Sequence, residues 1–139
     1  MKAYTNINQS KKLAKILPLE SADGFWEYHP KWCSEGDEWE GYEDYPRAEP
    51  YLEYTRMENE WKEDKSDIPC WSLAALLDIL PMIKKGKDIA SPFIAKTPDN
   101  EYYIVYATLT KEVYSSSIYD NPVDACVEMI ENLHELKML

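Results

Sequence analysis

Glycine is scarce in this chain, with four among 139 residues, all isolated. The patterns GxxxxGK[ST], GxGxxG and GxSxG are absent, which excludes the common phosphate-cradling loops and the nucleophile elbow. Cysteine is scarce too. Cys33, Cys70 and Cys126 are widely spaced and odd in number, so they do not form the dense, even set of a secreted disulfide scaffold. Long apolar runs are missing: the longest, Leu73 to Leu77, falls far short of a membrane span. The opening residues, Met1-Lys2-Ala3-Tyr4-Thr5-Asn6, lack the apolar stretch of a signal peptide. These absences lead us to expect a cytoplasmic protein with free thiols. Basic residues are outnumbered 26 to 15, for a formal charge of −11. Attraction to nucleic acid or to an anionic membrane needs the opposite sign, so neither direct nucleic-acid binding nor membrane attachment is expected.

What the chain does contain is apolar and aromatic residues, at 45% and 13%, enough to build a core in one domain spanning 1–139. The charge is unevenly placed. From Glu20 to Asp67 there are 16 acidic and 5 basic residues, and the remainder of the chain is neutral. This acidic segment, 20–67, also holds four of the five tryptophans, Trp26, Trp32, Trp39 and Trp61. A disordered acidic tail is poor in aromatics, so much of the segment is expected to fold onto the body.

The pattern of elements predicts an α+β fold: a small antiparallel sheet of three to four strands packed against two or three helices. Thr5 or Asn6 caps a first helix over 5–17, with Ile7, Leu13, Ile16 and Leu17 as its apolar stripe and Pro18 as its stop. Phe25 to Tyr28 reads as a short aromatic strand, 33–50 as loop, and 51–62 as a helix from its aromatic spacing. Residues 69–81 read as a buried leucine helix capped by Ser72 and ended by Pro81, with Leu73, Leu76, Leu77 and Leu80 inward. Lys84 to Lys87 is an exposed turn. A meander follows over 92–118, and its last strand, 112–119, has the weak alternation of an edge. A homodimer through that edge is an open alternative. Asn121 caps the last helix, Pro122 takes its first position and Asp124 its first turn. Val123, Cys126, Met129, Ile130, Leu133 and Leu136 supply its apolar face.

Four stretches carry a family likeness: Gln9-Ser-Lys-Lys-Leu13, Glu20-Ser-Ala-Asp23, Pro69-Cys-Trp-Ser-Leu-Ala-Ala-Leu-Leu77, and Asn121-Pro-Val-Asp-Ala-Cys-Val-Glu-Met-Ile130 followed by Leu133-His134. With these the chain resembles a family of small uncharacterised proteins of gut Bacteroidales and their phages and mobile elements. The likeness runs from the first helix to the last, outside the acidic stretch from Cys33 to Lys65. It implies a setting inside a bacterial cell. It assigns no activity, cofactor or site residue.

Three kinds of chemistry are weighed. His29 and Cys33, spaced His-x3-Cys, with Cys70 and His134, offer four metal ligands, but the chain has no CxxC or HxxxH pair, and Pro30 breaks any helix that would align the first two. Cys70, just ahead of the expected leucine helix, has the place of an activated thiol but no neighbouring histidine in sequence. Asp37, Glu38, Glu40, Glu43 and Asp44 are dense but do not match a calcium loop. The leading expectation is therefore a non-enzymatic interaction protein without metal or cofactor. It would bind a basic protein partner through Trp32, Asp37, Glu38, Trp39, Tyr42 and Glu43. A small thiol- or metal-dependent enzyme, and a DNA-mimic inhibitor whose carboxylates imitate phosphates, are the alternatives.

Overall fold

A computed structural model describes residues 2–29, 40–51 and 66–139. The fold is α+β, with three helices and antiparallel sheets among the described residues. The chain divides into two compact units, one formed by 4–72 and the other by 1–3 with 73–139.

In the first unit, helix α1 spans Ile7–Leu13. The Asn6 side chain accepts from the Gln9 N–H while the Gln9 side chain accepts from the Asn6 N–H, a reciprocal capping box. Leu13 and Leu17 are buried. The helix is shorter than the periodicity predicts, because 14–16 close as turns ahead of Pro18. Strand β1, Gly24–Trp26, is followed by β2, Tyr28–His29, then β3, Gly41–Tyr42, and β4, Ile68–Cys70. β1 pairs antiparallel with β4, and β2 with β3.

β4 is an element the sequence reading lacks: it grouped Pro69 and Cys70 with the leucine segment capped by Ser72 and expected no strand there. Pro69 lies opposite Phe25, yet the Phe25 N–H and C=O are both bonded to Arg47, on the other side of β1. The Phe25–Pro69 pair therefore needs no ladder N–H from β4, and a proline fits there at no cost. Gly24, at the head of β1, is required by close approach. A Cβ there would meet the Arg47 carbonyl oxygen at 2.8 Å and the Cys70 Sγ at 3.2 Å. Thr5 joins the pieces of this unit. It exchanges backbone and side-chain bonds with Trp71, and its C=O accepts from Trp26 Nε1 at 3.0 Å.

In the second unit, helix α2 spans Leu73–Ile79, with Leu76 fully buried. The Ser72 expected to cap it instead donates its N–H and its hydroxyl to Asp23. Strands β5 (Ile83–Lys85), β6 (Asp88–Lys96), β7 (Tyr102–Ala107) and β8 (Glu112–Ser115) form a four-stranded antiparallel meander in that order. Gly86, at φ +64, turns the two-residue β5–β6 connection.

Helix α3, Pro122–Glu135, packs on β7. Asn121 caps it by accepting from the Asp124 N–H at 2.9 Å. The expected face is buried through Leu133, but Leu136 is exposed. The helix closes there with Lys137 left-handed at φ +59, and with bonds from Lys137 N–H to the His134 C=O and from Met138 N–H to the Leu133 C=O. That is a Schellman closure, and it turns the chain before Leu136 can face inward. No helix among the described residues is long and apolar enough to cross a membrane.

Candidate functional site

The β2–β3 ribbon lies inside the acidic segment and carries two of the expected contact residues, Tyr42 and Glu43. Trp32, Asp37, Glu38 and Trp39 lie outside the described residues, as do Cys33 and most of the helix expected over 51–62.

Strand alternation sorts the ribbon into two faces. Tyr28 and Tyr42 are register partners, and their rings meet edge-on with centroids 5.4 Å apart, the favoured geometry for aromatic quadrupoles. The Tyr28 hydroxyl donates to Glu40, and the Tyr42 hydroxyl donates to the Ser66 C=O at 3.4 Å. Glu27 and His29 alternate with Tyr28, so both lie on the opposite face. The Glu43 N–H donates to the Glu27 C=O at 3.2 Å, which sets Glu43 across from Glu27. There His29 Nε2 comes within 2.9 Å of Glu43 Oε1 and 3.9 Å of Glu27 Oε2. Arg47 Nη1 is 3.4 Å from Glu27 Oε2, and its Nη2 is 3.3 Å from Glu49 Oε1. Beyond the ribbon, Asp44 is exposed and Tyr45 is 82% exposed.

Asp67 completes this region. It is buried, and its Oδ1 accepts from the Tyr28 N–H at 2.8 Å. Burial raises its pKa above the usual carboxylate value. The Tyr28 bond and His29 oppose that rise, and the charges of Glu27 and Glu43 add to it. Between the ordinary and the raised value the folded chain holds more protons than the unfolded one, so stability increases as pH falls through that window. Above it the ionised carboxylate is a cost. Asp67→Asn keeps an acceptor for the Tyr28 N–H and removes the charge. The variant is expected to unfold at higher urea than the parent at neutral pH, with the gap narrowing towards about pH 4. A lower urea midpoint at neutral pH would mean that the ionised form is held in place by its surroundings.

A cleft of about 680 Å³ opens beside the ribbon, with Lys11 and Lys15 among its lining residues, together with Tyr42, Tyr51, Asp67 and Pro69. The Tyr51 hydroxyl donates to the Asp67 C=O at 3.0 Å. The Lys11 ammonium stands 6.0 Å from the centre of the Tyr42 ring, at the outer limit of a cation–π contact.

The thiols have a different character from the one an activated nucleophile needs. Cys70 ends β4 and is fully buried. Burial, with the Asp23 charge adding to it, pushes its pKa far up. Cys126 is buried on α3, and burial pushes its pKa up to about 12. Both are small apolar fillers at these positions. Among the described residues, the group of His, Cys, Asp and Glu side chains able to share one ion is Glu27, His29 and Glu43, with ligand atoms all within 4.8 Å of one another. Sequence spacing paired His29 with Cys33. The ribbon, which sets Glu43 across from Glu27, brings the His29 side chain to Glu43 instead, a partner fourteen positions away that no local pattern marks.

No protein-family model matches the chain, and no curated protein or solved structure is significantly similar to it.

Proposed function

We propose that the chain is a non-enzymatic accessory protein of a phage or mobile element, held in the bacterial cytoplasm, that binds a basic protein partner through the acidic aromatic surface around Tyr42 and Glu43. The observation that carries this reading is the far end of the ribbon. There Glu43, Asp44 and the 82%-exposed Tyr45 follow one another, within a segment that contains the whole net charge of the chain. A protruding tyrosine supplies rigid anchor area at low entropic cost. The surrounding carboxylates steer a cationic partner and repel nucleic acid. The likeness to proteins of Bacteroidales phages and mobile elements supports the setting. Self-association through β8, an outer strand of its sheet, is a separate form of partnership.

The test is affinity capture from host lysate, comparing the parent with the double variant Asp44→Lys/Tyr45→Ala at low and moderate salt. The parent is expected to retain a single basic protein at low salt and less of it at moderate salt. The variant should lose it while keeping an unchanged far-UV spectrum. A captured nuclease or DNA-binding protein would make the surface a DNA mimic. The same retained set on parent and variant would rule the surface out.

A further inference from the structure

We infer that Glu27, His29 and Glu43 form a binding site for one zinc-class divalent ion on the β2–β3 ribbon. The argument starts from the register. Tyr28 opposite Tyr42 and His29 opposite Gly41 continue to Glu27 opposite Glu43, joined by the 3.2 Å backbone bond between them. Two carboxylates directly across a strand pair repel each other and weaken the ladder unless a cation stands between them. Asp67, whose Oδ1 accepts from the Tyr28 N–H at 2.8 Å between Glu27 and His29, adds a third acidic group to the neighbourhood. Arg47 is divided between Glu27 and Glu49 at 3.4 and 3.3 Å, distances longer than a tight charge-assisted bond. Among the described residues, the charge around this imidazole is therefore negative on balance.

That imidazole decides which ion fits. Its Nε2 is held against Glu43 Oε1 at 2.9 Å and faces Glu27 Oε2 at 3.9 Å. Ligands about 2.0–2.2 Å from a tetrahedral zinc lie a little over 3 Å from one another, and the three donor atoms here fall inside 4.8 Å, so small side-chain rotations bring them onto one centre. One nitrogen and two carboxylate donors match zinc and its neighbours in the first transition row. Calcium and magnesium prefer oxygen alone. The three side chains are each about a third exposed, at 30%, 30% and 33%, which leaves a solvent-facing position for a water as fourth ligand. The ribbon supplies the rigidity: both strands are pinned by backbone pairing, and the aromatic face behind them by the Tyr28–Tyr42 contact. Glu43 belongs both to this group and to the proposed partner surface, whereas Asp44 and Tyr45 take no part in the ion site, so the variant at 44 and 45 tests the surface without removing a ligand.

The experiment is a calorimetric titration of zinc into chelator-stripped full-length protein, followed by cobalt(II) as a spectroscopic probe. One ion per chain is expected, with magnesium giving no heat. Glu27→Gln and Glu43→Gln are nearly isosteric, and His29→Gln keeps a polar side chain. Each should weaken binding at least tenfold while leaving the far-UV spectrum unchanged, and Cys33→Ser should bind like the parent. Cobalt should give visible d–d bands without a near-ultraviolet thiolate band. Absence of zinc binding overturns the site. So does unchanged affinity in the two glutamine variants at 27 and 43, and so does a thiolate band that vanishes with Cys33→Ser.

Discussion

Trp71→Ala is expected to destabilise the chain by about 3–5 kcal/mol, the range for removing a fully buried large aromatic. Trp71 has no exposed surface and is the largest such side chain among the described residues. Its indole Nε1 donates to Ser21 Oγ at 2.9 Å, its N–H donates to Thr5 Oγ1 at 3.2 Å, and its C=O accepts from the Thr5 N–H at 3.0 Å. The backbone bonds survive truncation. The ring volume and the bond to Ser21 do not, and the cavity left behind is flanked by the Asp23–Ser72 pair, whose bonds hold the neighbouring backbone in place. Urea unfolding followed by far-UV circular dichroism measures the loss, and Trp71→Phe should recover part of it by refilling the space. A cost below about 1 kcal/mol, typical of surface sites, would show that the ring is not packed as described.

The second large effect belongs to the other unit. Ile130→Ala on α3 is expected to cost about 2–5 kcal/mol. Ile130 is fully buried, and so are Val123, Cys126 and Leu133 on the same helix. The helix packs on β7, where Ile104 and Tyr106 are also fully buried. Asn132→Ala, two positions on and exposed, is the matched control and should change stability by no more than about 0.5 kcal/mol. Equal costs at 130 and 132 would show that the buried face has been misplaced.

Local signals made α3 the most legible part of the chain. Asn121, Pro122 and Asp124 sit side by side in sequence, and each acts within one turn, so cap, first position and dipole partner need no knowledge of the rest of the fold. Asn6, one of the two caps the sequence offered for the first helix, was legible for the same reason, while its reciprocal bond with Gln9 was not. β4 was not. Pro69 and Cys70 precede four leucines and suggest a helix, while the strand they form depends on Phe25 and Arg47, more than twenty positions away. The expectation of Leu136 in the core failed because α3 ends in a left-handed Lys137, a residue type that gives no warning of a helix stop.

The candidate site divides along the same line. Acidity and aromatic content marked the segment and pointed to Tyr42 and Glu43. Tyr45, the most exposed aromatic anchor beside them, was not singled out, because exposure of one tyrosine among many is a tertiary property. The grouping of Glu27, His29 and Glu43 depends on strand register, which composition does not encode. The ligand reading from sequence followed the short His29–Cys33 spacing instead.

Burial of the two described cysteines has a consequence for how the molecule ages and how it can be watched. A thiol held far above its ordinary pKa carries almost no thiolate at neutral pH. Cys70 and Cys126 therefore stay off the oxidation ladder, and beyond the reach of alkylating reagents, for as long as their surroundings stay closed. Reaction at either sulfur must wait for an opening event. Because Cys70 lies in one compact unit and Cys126 in the other, these two described thiols are built-in clocks, each recording how often its own half breathes.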